Sequence, residues 1–161
     1  RKQLPEATIE VLPADFHARR ECIAMLCNAH PDVYNHNIET VPSLYPSIRT
    51  QADYQRSLSV LKYIKKVKNS ILTKSGIMVG LGEKKSEVFE VARDLRKVDC
   101  DILTIGQYLR PSRQNIEVKE YIKPEVFEEY KTFALGLGFK AVQSAPFVRS
   151  SYKADEILPL P

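Results

Sequence analysis

A strand-like segment with polar side chains, residues 35–40, is the first place in this sequence where chemistry could occur. Side chains alternate between the two faces of a strand, so Asn35, Asn37 and Glu39 are expected to share one face. A carboxylate can accept both hydroxyl groups of a ribose, and an amide can contact an amino-acid carboxylate. The same groups could instead form an internal polar network that only holds strands together. The pattern leaves both readings open. His36 falls on the opposite face, where we expect a structural histidine with satisfied hydrogen bonds.

Two further segments combine glycine or hydroxyl groups with charge. Gly80-Leu81-Gly82-Glu83 lacks the third glycine of a dinucleotide fingerprint and the Lys-Ser/Thr of a phosphate-binding loop. Glycine would let a flat ligand approach the backbone, but these four residues alone favour a tight strand-to-helix turn. Near the end of the sequence, Arg149-Ser150-Ser151-Tyr152 has no G-x-S-x-G context that would make a serine nucleophilic. Taken alone, that tetrapeptide is typical of a solvated tail.

Cysteine and histidine offer little metal chemistry. The three cysteines are Cys22, Cys27 and Cys100, an odd number that excludes a complete disulfide framework. They do not combine with the three histidines into a zinc ligand set. We therefore expect ordinary thiols in a reducing compartment.

Alternating strand and helix patterns must position these segments. Helices are predicted from the capping residues Asp15, Asp53 and Ser86 and from Pro124 at a first helical position. Strands alternating with helices indicate a parallel α/β sheet, in which ligands bind at the carboxyl ends of strands. That rule selects residues 35–40, 80–83, 107–112 and 144–152. The predicted strands are 8–12, 33–40, 72–79, 101–109 and 139–144.

Composition excludes several classes of protein. The 161 residues are 43% hydrophobic and 27% charged, which suits one globular domain or part of a larger one. No apolar run approaches membrane-helix length, and no leader pattern opens the sequence, so we expect neither a membrane helix nor a secretory signal. A net charge of +4 is too small to indicate nucleic acid. The lysines of segment 62–68 form either a solvated helix face or a basic surface for an acidic partner.

Six segments together resemble the lipoyl synthase family of radical S-adenosylmethionine (SAM) enzymes. They occur in the family's order, cover about residues 7–155 and end in its characteristic Arg-Ser-Ser-Tyr. The matching stretches are 9–12 with Asp15-Phe16, 31–41, 52–58, 73–83, 101–109 and Val148-Arg149-Ser150-Ser151-Tyr152.

The resemblance implies a reaction. The family inserts two sulfur atoms, at C6 and C8, into an octanoyl chain carried on a protein lysine, which makes the lipoyl cofactor. One [4Fe-4S] cluster cleaves SAM to a 5′-deoxyadenosyl radical, and a second [4Fe-4S] cluster is consumed as the sulfur source. Its implied partners are an octanoylated carrier protein or lipoyl domain and an electron donor such as ferredoxin or flavodoxin. No nucleic acid or membrane partner is expected, and the resemblance implies a cytoplasmic protein, or a mitochondrial one if the chain is eukaryotic.

The resemblance also implies a fold. The family has a partial TIM-type (β/α) barrel of six parallel strands with helices outside. Four main strands of this sequence would be the last four of the six, followed by a C-terminal extension. We therefore expect residues 1–161 to form a single domain, with a core at about 7–147 and the C-terminal motif and tail at 148–161.

Site residues are carried over only at matching positions. Ser151 would ligate the labile iron of the auxiliary cluster, with Ser150 as the alternative, and a serine oxygen would be a weaker iron ligand than a thiolate. Arg149 and Tyr152 would contact the substrate. The residues expected to bind the cofactor SAM are Asn37, Glu39, Arg56, Gly80, Gly82, Gln107 and Tyr108.

The departure from the family is in the cysteines. The family's C-x3-C-x2-C and C-x4-C-x5-C motifs are absent from the 161 residues, and Cys22 with Cys27 is not a substitute. The leading hypothesis is therefore the C-terminal portion of a lipoyl synthase that is inactive as this chain alone. The alternative is a non-catalytic or split module that pairs with a separate cysteine-bearing chain. A third hypothesis, that the chain is a generic small α/β ligand-binding protein, would require all six matches to the family to have arisen by chance.

Overall fold

Five parallel strands form a single sheet in the order β1-β2-β3-β4-β5. The computed structural model describes residues 3–151, so Tyr152 lies outside the described residues. The predicted α/β parallel sheet is confirmed. All five predicted strands are present, and the brief first strand pairs in parallel with the second. The strands are β1 (Glu10–Val11), β2 (Val33–Asn35), β3 (Leu72–Val79), β4 (Ile102–Gln107) and β5 (Ala141–Ser144).

Helices connect the strands as the alternating pattern predicts. Asp53 caps α3 through a hydrogen bond from the Arg56 backbone N–H to its carboxylate, and Pro124 is the first residue of α5. Within the described residues, no helix is both long and apolar enough to span a membrane. The helices are α1 (Arg20–Asn28), α2 (Tyr45–Ile48), α3 (Tyr54–Val67), α4 (Lys85–Lys97) and α5 (Pro124–Gly136).

Two predicted helix starts are wrong, and both errors involve competing caps. Asp15 accepts a hydrogen bond from the His17 N–H and caps a short 3₁₀ turn, so α1 begins only at Arg20. Ser86 lies inside α4. The Glu87 carboxylate instead accepts a hydrogen bond from the backbone N–H of Lys84, the N-cap residue.

The two faces of the sheet have different roles. Its outer face packs Ile77, Val79, Leu103 and Ile105 against α3, α4 and α5 in the main hydrophobic core. On the inner face, paired residues of β3 and β4 bring Gly76 beside Thr104, and Met78 beside Gly106. Among these four residues of the inner face, only Met78 has a bulky side chain.

A buried polar cluster lies lower on the inner face, two residues before Gly76. Lys74 is 1% exposed, and its ammonium Nζ lies 2.9 Å from Oε2 of Glu10. The other carboxylate oxygen of Glu10 accepts a hydrogen bond from Asn35 Nδ2 at 2.9 Å. We call Glu10, Asn35 and Lys74 the floor network, because it connects β1, β2 and β3 beneath the open part of the inner face.

The floor network predicts an asymmetric loss of stability. Glu10→Met leaves the ammonium of Lys74 buried and unpaired, which should cost about 3–5 kcal/mol of unfolding free energy. Lys74→Met should cost less, because the Glu10 side chain is 23% exposed and can be hydrated. The double variant should recover most of the loss, since two apolar side chains then replace the ion pair. Urea unfolding measures all three, and a larger loss for Lys74→Met than for Glu10→Met would contradict this account.

Candidate functional site

Two adjoining cavities open at the carboxyl ends of β2, β3 and β4. The first, the rim cavity, has a volume of about 570 Å³ and is lined by segments 12–15 and 48–52 and by His36, Asn37, Glu39 and Ser57. The second, the inner cavity, has a volume of about 320 Å³ and lies against the inner face of the sheet. Asn37 and Glu39 line both cavities. These two predicted cofactor-binding residues therefore stand where the cavities meet.

Glycines let other parts of the chain pack closely at the wall of the inner cavity. Its wall includes Gly76, Thr104 and Gly106 of the sheet. A Cβ at Gly76 would lie 2.9 Å from Oδ1 of Asn37 and 2.8 Å from Oγ1 of Thr104. Real Cβ atoms essentially never approach other atoms that closely, so Asn37 can occupy this position only because residue 76 has no side chain.

Asn37 has an unused hydrogen-bond acceptor. Its Nδ2 donates to Oε1 of Glu39 at 3.3 Å, but its buried Oδ1 has no hydrogen-bond partner among the described residues. A buried polar atom without a partner costs free energy, so native proteins rarely retain one. A donor on a bound ligand would satisfy this oxygen.

Glu39 is held in a sparsely populated backbone conformation. Its φ of 71° lies in the left-handed region, which non-glycine residues seldom adopt. Two backbone hydrogen bonds to β3 fix it there: its N–H donates to Gly76 O, and its own carbonyl accepts from the Met78 N–H, each at 2.9 Å. Strain of this kind persists only where the surrounding structure enforces it, and it is common at ligand-binding positions.

The rim cavity contains an arginine that sequence reasoning did not assign. Arg49 follows α2 and lines the cavity, and its buried Nε has no hydrogen-bond partner among residues 3–151. A guanidinium N–H that lacks an acceptor suits a carboxylate ligand. Arg49 was missed because it ends an irregular, proline-containing segment that has no periodic pattern.

His36 also lines the rim cavity, and the prediction of its position is wrong. Regular strand structure ends at Asn35, so side-chain alternation no longer places His36 opposite Asn37. The ring is 7% exposed and hydrogen-bonds the backbone of Pro13, yet Nε2 has no partner in the described chain.

The imidazole of His36 is neutral near pH 7. Burial lowers its pKa from the ordinary value, and the Arg49 and Arg56 guanidinium groups lower it further, against the opposing effect of the Asp15 carboxylate. In the tautomer that carries the proton on Nδ1, the unpaired Nε2 would present a hydrogen-bond acceptor to the cavity.

Asn35 and Arg56 lie beside the cavities without lining them. Asn35 donates from Nδ2 to Glu10 in the floor network, but its buried Oδ1 has no hydrogen-bond partner among the described residues, so both alternatives for Asn35 stay open. Arg56 donates from Nε to Oδ2 of Asp15 at 2.5 Å and from Nη2 to the Gln51 carbonyl at 3.2 Å. Burial raises the pKa of the Asp15 carboxyl, but hydrogen bonds from the His17 N–H and the Arg56 side chain outweigh burial and lower it overall. Arg56 thus orients Asp15, which does line the rim cavity; its predicted contact with SAM stays a prediction.

Four other predicted cofactor-binding residues, Gly80, Gly82, Gln107 and Tyr108, form a separate cluster. Gly80, with φ 94°, and the following Leu81 donate their N–H groups to the Glu83 carboxylate. These four residues line neither cavity. The tight turn expected at Gly80-Leu81-Gly82-Glu83 is confirmed.

Side chains of this cluster hold the loop after β4. Gln107 Nε2 donates to the carbonyls of Tyr108 and Glu120, and its Oε1 accepts from the Ile122 N–H. Tyr108 donates its hydroxyl to the Ile116 carbonyl. Their polar groups are therefore paired within the protein, and their role with a cofactor stays a prediction.

The C-terminal motif closes one side of the inner cavity. Val148, Arg149 and Ser150 line it, whereas Ser151 is exposed. Arg149 donates from Nη1 to the Val148 carbonyl at 2.6 Å and to the Pro146 carbonyl at 3.4 Å. Contact of Arg149 and Tyr152 with a substrate, and of Ser151 or Ser150 with iron, stay predictions.

The described residues do not fit an iron–sulfur cluster. Nowhere in residues 3–151 do three His, Cys, Asp or Glu side chains lie together in a way that could hold a metal ion. Cys27 and Cys100 are buried; burial raises the pKa of both thiols, that of Cys100 to about 12. Such thiols are protonated near pH 7 and are poor metal ligands.

Comparison with known proteins identifies the family. The model of the radical SAM superfamily matches residues 1–95. The chain belongs to the radical SAM superfamily. A partial TIM barrel is the fold that this superfamily implies, and the parallel five-stranded sheet agrees with it. Which barrel strands these five are stays a prediction.

Lipoyl synthases are similar to this radical SAM chain over nearly its full length. The protein named lipoyl synthase from Caldicellulosiruptor saccharolyticus is 59% identical over 152 residues, which cover 94% of this chain and 53% of that protein. The one from Caldanaerobacter subterraneus subsp. tengcongensis is 58% identical over 154 residues, covering 96% and 54%. The one from Treponema denticola is 51% identical over 156 residues, covering 97% and 53%. The predicted resemblance to lipoyl synthases is confirmed, and the chain spans about half the length of the curated relatives it matches.

The packing at Gly106 generates a test of how this radical SAM chain closes its inner cavity. A Cβ at Gly106 would lie 2.2 Å from the backbone oxygen of Val148, so Gly106→Ala should displace the segment from Val148 onward. Trypsin cleavage after Arg149 should then become faster. Gly136→Ala is the matched control, because no atom lies within 4 Å of a Cβ built at Gly136 and alanine suits a helix. Equal cleavage rates in the two variants would contradict the proposed closure.

Proposed function

We propose that the rim and inner cavities together bind SAM, as part of a lipoyl synthase reaction. The observation that carries this proposal is a set of three buried polar atoms without partners in the described chain: Oδ1 of Asn37, Nε2 of His36 and Nε of Arg49. All three residues line the rim cavity, and Asn37 lines the inner cavity as well. Unsatisfied buried atoms that converge on one space are best explained by a polar ligand.

The unpaired atoms match the functional groups of SAM. Arg49 offers N–H donors to the carboxylate of the methionyl end, and His36 offers a lone pair to its ammonium group. Glu39 offers two carboxylate oxygens to the two ribose hydroxyls. Gly76 and Gly106 let Asn37 and the Val148 backbone pack closely against the sheet, which sets the wall of the inner cavity that would face the nucleoside. When bound, SAM supplies the group that abstracts hydrogen atoms from the octanoyl chain; this chain's residues only bind and orient it.

The substrate side of the proposal rests on the inner cavity. Leu12, Met78 and Val148 give it an apolar lining beside the polar groups of Asn37 and Glu39. An octanoyl chain held on a carrier protein or lipoyl domain needs such an apolar path to the hydrogen-abstracting group. We assign this path to the inner cavity, with Arg149 at its wall. An electron donor such as ferredoxin or flavodoxin would supply the reducing electrons.

We further propose that the 161-residue chain does not catalyse sulfur insertion alone. The reaction of the family uses two [4Fe-4S] clusters, and the sequence has three cysteines and neither cluster motif. The described residues contain no metal-binding group, so at most a serine of the C-terminal motif, Ser151 or Ser150, would contribute one ligand to an auxiliary cluster. A cysteine-bearing polypeptide would have to supply the remaining ligands.

SAM binding tests the first proposal directly. Isothermal titration of the purified chain with SAM should show one site. Arg49→Gln should weaken it by about 10–100-fold, because a hydrogen bond to a charged group contributes about 1.5–3 kcal/mol. Arg113→Gln is the matched control, since Arg113 is exposed and lines neither cavity. Equal SAM affinity in both variants would show that Arg49 does not contact SAM. Absence of SAM binding to the unaltered chain would refute the proposal.

Reconstitution of the iron–sulfur clusters tests the second proposal, that the 161-residue chain alone does not catalyse sulfur insertion. After anaerobic supply of iron, sulfide and reductant, the chain alone should form no lipoyl product on an octanoylated lipoyl domain. Co-expression with a chain that bears both cysteine motifs should restore product if the protein works as one part of a split enzyme. Turnover by the chain alone would contradict the proposed dependence on added ligands. Failure of the pair would exclude the split-module alternative.

A further inference from the structure

One side chain of the rim cavity can gain or lose a proton close to neutral pH. His36 is buried and lines the cavity, and its Nε2 has no hydrogen-bond partner among the described residues. Histidine is the residue whose ordinary pKa, about 6.5, lies nearest to physiological pH. His17 and His30, by contrast, line neither cavity. The occupant of the rim cavity therefore meets a ring whose charge depends on pH.

Charged groups from three other parts of the chain act on this ring. The Asp15 carboxylate, at the start of the 3₁₀ turn, favours protonation of the ring, whereas the guanidinium groups of Arg49 and Arg56 oppose it. Arg49 follows α2, and Arg56 lies on α3. Glu39, which also lines the cavity, adds a second carboxylate from the segment that contains His36. The two carboxylates balance the two guanidinium groups while His36 is neutral, so a proton on the ring gives the site a net positive charge.

Burial makes that proton more costly still. Loss of water around the ring is the largest cause of the lowered pKa of His36, ahead of the neighbouring charges. Arg56 is held close to the site, because its Nε donates to Oδ2 of Asp15 at 2.5 Å. The protein therefore favours neutral His36 near pH 7, and acidification places an unbalanced charge in the cavity.

SAM carries charges that respond to a proton on His36. Its methionyl end has an ammonium and a carboxylate group, and its sulfonium centre gives the whole molecule a net positive charge. An α-amino group titrates at about pH 8 and an α-carboxyl group at about pH 3.5, so SAM keeps its charge between pH 5 and pH 7. A change of SAM affinity within that range must therefore come from a titrating group of the protein.

We propose that His36 is a proton-linked switch for SAM binding: the neutral ring accepts a hydrogen bond from the ammonium group of SAM, and protonation of the ring releases SAM. This inference rests on the proposed function, because it takes SAM as the occupant of the rim cavity. A proton on Nε2 removes the acceptor and places a positive charge against the ammonium group, so SAM and this proton exclude each other. When SAM binds to the protonated protein, the ring loses its proton to the solvent. Occupancy of the cavity by SAM therefore falls as the pH falls.

The pH dependence of SAM affinity tests the switch. In isothermal titrations between pH 7 and pH 5, the affinity of the unaltered chain should be constant at first and then fall, approaching about tenfold per pH unit below the pKa of His36. His36→Asn keeps a hydrogen-bond acceptor that does not titrate, so its affinity should stay constant. The matched control is His30→Asn, which should follow the unaltered chain, because His30 lines neither cavity and asparagine tolerates its φ of 57°.

A variant of a neighbouring residue should move the pH at which SAM affinity falls. Asp15→Asn removes the carboxylate that favours protonation of His36, so the fall should begin at a lower pH than in the unaltered chain. Asparagine keeps a side-chain oxygen that can accept the hydrogen bond from the His17 N–H. An unchanged midpoint, or a midpoint at higher pH, would contradict the assignment of the titration to His36.

Proton release gives a second readout that a merely structural role of His36 would not change. Heats of SAM binding, measured near the midpoint of the fall in two buffers of different ionisation enthalpy, should show a proton released by the unaltered chain and none by His36→Asn. The folded state itself loses stability as the pH falls below about 6.5, because the unfolded chain then binds a proton that buried His36 resists. Circular dichroism at each pH therefore confirms that the chain is folded.

Two results would overturn the switch while leaving the proposed function intact. One is a SAM affinity of the unaltered chain that does not change between pH 7 and pH 5. The other is the same pH dependence in His36→Asn as in the unaltered chain, which would assign the titration to another group. If the unaltered chain binds no SAM at any pH, the proposed function fails and the switch fails with it.

Discussion

The absence of side chains at Gly76 and Gly106 is the constraint on which the rest of the site depends. These two glycines lie on neighbouring strands, and each is approached by another part of the chain at a distance no Cβ would permit: Asn37 at Gly76, and the Val148 backbone at Gly106. The floor network supports the sheet below them with a buried ion pair between Glu10 and Lys74. Together these contacts produce a cavity that is bounded by polar groups but not filled by them.

Two polar clusters at the same edge of the sheet differ in how fully their hydrogen bonds are satisfied. Around Gly80, the Glu83 carboxylate accepts a hydrogen bond from the turn backbone, and the Gln107 amide hydrogen-bonds backbone groups of the loop after β4. Around Asn37, the side chains of His36 and Arg49 retain unpaired buried atoms. The polar groups of the first cluster are paired within the protein, whereas those of the second include buried atoms without partners, which a ligand of the proposed kind would satisfy. The two clusters therefore differ in whether their buried polar atoms are paired, more than in the types of residue they contain.

Much of the fold could be predicted from local sequence signals. The bounds of β3, the Asp53 cap and Pro124 at the start of α5 all follow from apolar patterning and capping chemistry, which act over a few residues. The site was predictable only in part. Glu39 takes a positive φ because tertiary hydrogen bonds hold it against β3, and the strand pattern beyond Asn35 gave no sign of this. Arg49 and His36 become site residues through the same tertiary packing, which a single sequence does not reveal.

The most direct test of the central claim is to map the SAM contact surface by nuclear magnetic resonance. Titrating the isotopically labelled chain with SAM should shift backbone resonances of Asn37, Gly76 and Arg49, together with the His36 ring, at one common saturation point. Resonances of the Gly80 and Gln107 cluster, whose polar groups are already paired, should move less. Shifts confined to the Gly80 and Gln107 cluster, or no saturable shift near Asn37, would contradict the assignment of the unpaired polar atoms to SAM.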